Sequence, residues 1–224
     1  MRIGKLDHES AAYHEAREAL LVAERKLRDQ REAVAALRRQ LPLDTAVKDY
    51  VLQSTDGPVV LSQLFDLPDR PLVLYQYMLG GAQEQACPMC TLWVDGLHGI
   101  AQHIGSRLNF AVVAQAPIEQ FAAWGATRGW TDLRLLSSAG TTMKTDLKFQ
   151  DEDADQYPGV SVFVHDAEGT LRHFYSASAI MGEDEFRGID LLNPMWHLQD
   201  LTPTGRQEWY PDVSYTSAAQ GSGA

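Results

Sequence analysis

Cysteine is scarce in this chain, with two among 224 residues. That excludes a small disulfide-stapled scaffold, which needs several pairs. Basic residues also fall short, 19 Lys and Arg against 30 Asp and Glu, for a formal charge of −11. A nucleic-acid binder needs a basic footprint, so that class is set aside. There is no run of about 18 apolar residues, and no membrane-spanning helix is expected. The opening stretch MRIGKLDHES lacks the apolar core of a secretory signal, which makes the reducing cytoplasm the expected compartment. What remains is a composition of 45% hydrophobic and 22% charged residues, that of a globular protein with one substantial domain and an accessory element.

Residues 9 to 41 contain no Gly or Pro and are rich in Ala, Leu, Glu and Arg, strong helix formers. Ser10 is the expected N-cap and Pro42 the stop. A heptad places Tyr13, Leu20, Leu27, Val34 and Leu41 at a, and Ala16, Ala23, Gln30 and Leu37 at d. Only Gln30 breaks the seam. A helix of about 30 residues is roughly 45 Å long, so it packs along its own domain or against a second copy. The division expected is a long helix over 1–42, a domain over 43–181, a docked segment over 182–215 and a frayed tail over 216–224.

Within the domain the pattern reads as a strand, a turn at Asp56-Gly57-Pro58, a second short strand, and a buried strand over 72–78. A glycine-led loop follows, then a helix from Pro88 to about His103. After these come the apolar strand LNFAVVAQA, a helix in PIEQFAAWGATRG, the strand LRLLSS, a short helical turn with an acidic loop, and a hairpin turning at Asp166 to Gly169. This order describes an α/β fold, a mixed sheet with helices on its faces.

Both cysteines sit in ACPMCTLW, residues 86–93. Pro88 suits a first helical position, which puts Cys87 at or near the N-cap. The unpaired N–H groups and partial positive charge there favour a thiolate, so the Cys87 pKa should fall. Cys90 lies one turn deeper on the same face. The division of labour expected is attack by Cys87 and resolution by Cys90, with no bound cofactor. Local zinc through His98 and His103 is opposed by geometry, since both lie too far along one helix from Cys90. A copper-type site with His165 or His173 ranks below the redox pair. So does peroxide reduction through Cys87, for which no nearby hydroxyl precedes the cysteine.

These elements together resemble the thioredoxin fold. More closely, KDYVLQSTDGPVVLSQLFD, CPMCTLWVDGLHG, VVAQAPIEQFAAWGATRGW, PGVSVFVHDAEGTLRHFYSA and GIDLLNPMWHLQDLTPTGRQE resemble a bacterial thioredoxin-like family of unknown function. Its members are predicted dithiol-disulfide oxidoreductases. The resemblance implies the fold, a thiol or disulfide substrate, and a cis-proline opposite the cysteines. Pro158 is the candidate for that proline, although by counting it falls two or three positions early, so Val160 and Ser161 compete for the place. The chain departs from the family at Gln115, where a basic residue is common, and after Ser138, where aromatics are.

Met89 and Trp93 are expected to line the site with Pro88 and Pro158. Asp95 is weighed as a general base, with an exposed or capping carboxylate as the plainer role. Tyr75 and Tyr77 are expected to straddle the sheet, and Trp196 and His197 to cover the cysteine pocket or a subunit interface. The rival function is a non-enzymatic scaffold assembled through the long helix, its cysteines incidental.

Overall fold

The computed structural model describes residues 4–183 and 185–215; the expected frayed tail, 216–224, lies outside them. The chain divides between Pro42 and Leu43 into two compact units. The first holds α1, Ala11–Arg38, where the Ser10 side chain accepts from the Tyr13 N–H as the expected cap. None of its 28 residues is buried, and Leu20, Leu27, Val34 and Leu37 of the heptad are all exposed.

The second unit is built on a seven-stranded mixed sheet. Its strands are β1 (Val51–Ser54), β2 (Gly57–Val60), β3 (Leu72–Gln76), β4 (Asn109–Ala114), β5 (Arg134–Ser137), β6 (Gly159–His165) and β7 (Leu171–Ser178), in the order β2-β1-β5-β4-β3-β6-β7. β3, β4 and β5 run parallel, while β6 pairs antiparallel with β3 and with β7. The helices are α2 (Pro88–Gly99), α3 (Ala101–Gly105), α4 (Ile118–Arg128), α5 (Met143–Asp146) and α6 (Pro194–Asp200).

Strand alternation divides the core in two. Leu72 and Leu74 of β3, with Ala111 and Val113 of β4, join one cluster around Leu52, Leu61 and Phe163. Tyr75 and Tyr77, with Val112 and Ala114, join the other, which holds both cysteines, Trp93, Phe121 and Trp196. Tyr75 and Tyr77 therefore share one face and do not straddle the sheet. The correction follows from the two-residue period of a strand, since positions i and i+2 point the same way.

The helix expected from Pro88 to His103 is two helices. Ile100 breaks it with φ −118° and ψ 16°, and α3 starts afresh at Ala101. Gly99 ends α2, a residue that favours helix ends over helix interiors.

Candidate active site

The site begins where β3 ends. Tyr77 continues the pairing, its N–H donating to the Val113 carbonyl at 2.8 Å, and Ala116 N–H donates to Leu79 at 2.9 Å. The chain then turns at Gly80, whose φ is +86°. A Cβ there would lie 2.1 Å from the Ala116 nitrogen, so only glycine permits this approach. The loop returns so that Cys87 N–H donates to Met78 O at 3.3 Å.

Cys87 is the N-cap of α2 and Pro88 occupies the first turn. Its sulfur accepts the Cys90 N–H at 3.4 Å, as a cap side chain does. Cys90 is fully buried, whereas Cys87 keeps 7% exposure; both are thiols. A directed chain of hydrogen bonds locks the helix start. Trp124 Nε1 donates to the Tyr77 hydroxyl (2.8 Å), which meets Thr91 Oγ1 (2.7 Å), and Thr91 donates to Cys87 O (2.9 Å). Each hydroxyl has one proton, so with Thr91 donating onward, Tyr77 must donate to Thr91.

The two sulfurs are driven apart in acidity. Cys87 falls from 9.0 to about 7, chiefly because the Cys90 thiol donates to it; burial opposes, and the N–H groups of Cys90 and Met89 and the Tyr210 hydroxyl assist. Cys90 is pushed well above the ordinary thiol range, first by burial and then by its neighbour Cys87. The Cys87 pKa moves in the direction expected of a helix start, but the largest single cause is the partner thiol.

A cavity of about 460 Å³ is lined by Met89, between the two cysteines in sequence, and by Tyr75, Trp93, Pro158, Phe186, Ile189 and Trp196; neither cysteine is part of its lining. Trp93 packs on Trp196 at 6.0 Å between ring centroids, and Trp196 on Trp209 at 5.6 Å. The Arg206 guanidinium lies over Trp196 and pairs with Asp190 and Asp200. The C-terminal segment thus forms one wall. It is tethered by Arg128, which donates to Val213 O at 2.7 Å, and its Tyr210 hydroxyl helps to lower the Cys87 pKa.

The residues expected to matter are placed as follows. Pro88, Met89 and Trp93 are on α2, and Pro158 lines the same cavity as Met89 with a trans peptide bond. Asp95 is neither a base for the cysteines nor a cap. It accepts from Arg128 and, at 2.8 Å, from Trp130 Nε1, tying α2 to α4. His165 packs on Phe65, and His173 on Phe163 with its Nε2 meeting Ser176; neither joins the sulfurs. Among the described residues no three His, Cys, Asp or Glu side chains gather as a metal site.

Two residues escaped the sequence reading. Tyr210 lies within the segment expected to dock over 182–215, with no role assigned to it there. Lys144, on α5, is buried to 1% exposure and donates to Tyr77 O and Gln156 Oε1. No pattern in TTMKTDL marks that lysine as internal.

Over residues 5–220 the sequence matches the family described as bacterial protein of unknown function (DUF899). The chain belongs to that family. No curated protein matches it in sequence. Its structure is similar to reduced Prx3 from Vibrio vulnificus in complex with hydrogen peroxide, with TM-score 0.50 and 12% identity over 68% of this chain and 98% of that one. It is also similar to the peroxidoxin BcpB of Mycobacterium tuberculosis (TM-score 0.43, 22% identity, 58% and 82% covered). A secreted disulfide oxidoreductase of the same organism gives TM-score 0.39 and 16% identity, with 55% and 80% covered. At these identities the likeness is one of fold, and this DUF899 member is a thioredoxin-like α/β protein.

Proposed function

We propose that this protein is a dithiol-disulfide oxidoreductase in which Cys87 attacks and Cys90 resolves, with no bound cofactor. The observation that carries the reading is the acidity gap within one CxxC pair. Cys87 caps a helix with its pKa lowered to about 7, while Cys90 stays protonated behind it. At neutral pH about half of Cys87 is thiolate, the form that attacks a disulfide.

In the first step the Cys87 thiolate bonds to one sulfur of R–S–S–R′, and R′–S⁻ departs with the bonding pair and takes up a proton. Cys90 then loses its proton and its sulfur displaces R–S⁻ from Cys87, leaving the Cys87–Cys90 disulfide. Two electrons pass to the substrate, which ends as two thiols. The cavity walled by Met89, Trp93, Phe186 and Trp196 suits an apolar flank on the substrate, and the Arg187 and Arg206 that also line it are offset by Asp190 and Asp200.

A Cys90→Ser variant is the direct test. In cell extract it should accumulate a mixed disulfide through Cys87 that dithiothreitol releases. Recovery of no such species, with purified wild type inert towards model disulfides, favours the scaffold alternative. Rapid consumption of hydrogen peroxide without disulfide exchange favours a peroxidase. The economy of two cysteines suits a reducing compartment, so the cytoplasm is the location proposed. The heptad of α1, with Leu20, Leu27, Val34 and Leu37 exposed, supports a homodimer. Sedimentation of the full chain as a monomer at micromolar concentration would rule that out.

A further inference from the structure

Taken as whole residues, Lys144 is the one charged residue buried among those described. Its Nζ donates to Tyr77 O at 2.5 Å and to Gln156 Oε1 at 2.8 Å, both neutral acceptors. Gln156 is fixed in turn by donating to Gly80 O at 2.6 Å. A buried ammonium without a carboxylate partner is costly, so packing alone is a poor reason for a lysine here. The carbonyl it grips belongs to the Tyr77–Met78 peptide. The next carbonyl, Met78 O, holds the Cys87 N–H at 3.3 Å, and the backbone of Met78 favours the thiolate form of Cys90 against burial.

We propose that Lys144 is a positioning residue for the resolving cysteine, its ammonium polarising the Tyr77–Met78 peptide so that the Met78 N–H stabilises the thiolate formed at Cys90. The inference rests on the dithiol reading above. Hydrogen bonds in series strengthen one another in a low-dielectric interior, and the charge acts at the one sulfur that burial otherwise keeps protonated. Resolution requires Cys90 to give up its proton, its sulfur to bond to Cys87, and the departing R–S⁻ to leave with the electron pair and be protonated. The ammonium neither gains nor loses a proton in this sequence; it offsets the negative charge while it exists. The titratable groups coupled electrostatically to Cys90 are Tyr75 and Tyr77 at the end of β3, Cys87 at the start of α2, Lys144 of α5 and Tyr210 of the C-terminal segment. The three phenols are shifted upward and stay neutral near pH 7, so Lys144 is the cation of the group. Burial lowers its own pKa to about 8, with both thiols acting to raise it, and it remains mostly protonated at neutral pH.

The test uses 5,5′-dithiobis(2-nitrobenzoate) with the full-length protein, since attack by Cys87 releases one thionitrobenzoate and resolution by Cys90 the second. In Lys144→Met the second release should slow by roughly threefold at pH 7, because about tenfold less thiolate is partly offset by a more basic nucleophile. Its pH profile should move up by about one unit. An unchanged second phase and profile would overturn the role of Lys144. An independent measurement needs no variant: the Lys144 Cε resonance of isotopically labelled wild type, followed against pH. It should titrate lower in the disulfide form, which lacks the thiolates, than in the dithiol form; identical titrations overturn the proposal even if Lys144→Met does not fold. Wild type that never releases the second thionitrobenzoate defeats the dithiol reading instead, and a Lys144 resonance that titrates identically in wild type and Cys90→Ala then overturns the role of Lys144.

Discussion

Removing the Cys90 sulfur tests the electrostatics of the pair most sharply. The Cys87 pKa is lowered from 9.0 to about 7, and the leading cause is the hydrogen bond from the Cys90 thiol. Two units mean about half thiolate at pH 7, against about one in a hundred for a thiol of pKa 9. Nucleophilicity falls with basicity by roughly half a log unit per pKa unit, so the net gain in attack rate is about fivefold. Cys90→Ala deletes the leading donor but leaves the backbone N–H groups of Cys90 and Met89 and the Tyr210 hydroxyl, while burial still opposes ionisation. The Cys87 pKa should then rise by at least about one unit, cutting the thiolate fraction at pH 7 to about a tenth. Cys90→Ser keeps an O–H donor and should fall between this variant and wild type. Ultraviolet absorbance of the thiolate against pH reads the titration directly, and iodoacetamide alkylation reads its kinetic consequence. If Cys90→Ala and wild type titrate together, the acidity does not come from the partner thiol and the reasoning fails.

Other consequences are as direct. In the unfolded chain a thiol holds its proton to about pH 8.5, whereas folded Cys87 releases it near 7. Stability from this group is therefore present above pH 8.5 and lost as pH falls through 7, a swing of about 2 kcal/mol. The raised pKa of Cys90 works in the opposite sense above about 8.5. Urea denaturation of the reduced protein and of Cys87→Ser between pH 6 and 8.5 should diverge, and parallel curves would contradict the assignment. Tyr210→Phe removes a hydroxyl from the Cys87 sulfur and should raise the Cys87 pKa without unfolding the protein; an unmoved titration would show that the C-terminal segment does not act on the site. Trp196→Ala empties the contact with Trp93, Trp209 and Arg206 and should cost about 3–5 kcal/mol. A loss under about 1 kcal/mol in denaturant melts would mean that the segment is not part of the core.

Much of the site was legible because it is local in sequence. Pro88 after a cysteine, a glycine loop before it and apolar periodicity after it suffice to place Cys87 at a helix start, since caps are decided within four residues. The two-residue period of β3 also carried the information that Tyr75 and Tyr77 share a face, although their position at a strand end suggested otherwise. Asp95 was misread for the opposite reason. Its partners, Arg128 and Trp130, are more than 30 residues away, and no spacing rule reaches that far. Lys144 and Tyr210 were invisible on the same ground.

Short-range periodicity and capping suffice for the α/β order, for a long helix within residues 9–41 and for two sulfurs one turn apart. Tertiary structure decided what the sulfurs experience. Burial behind β3 raises Cys90, the Cys90 thiol lowers Cys87, the Trp93 and Trp196 contact brings a remote segment over the site, and a lysine from α5 reaches the Tyr77 carbonyl. Acidity depends on charge and solvent within a few ångströms, and only the folded chain brings those distant residues within that range.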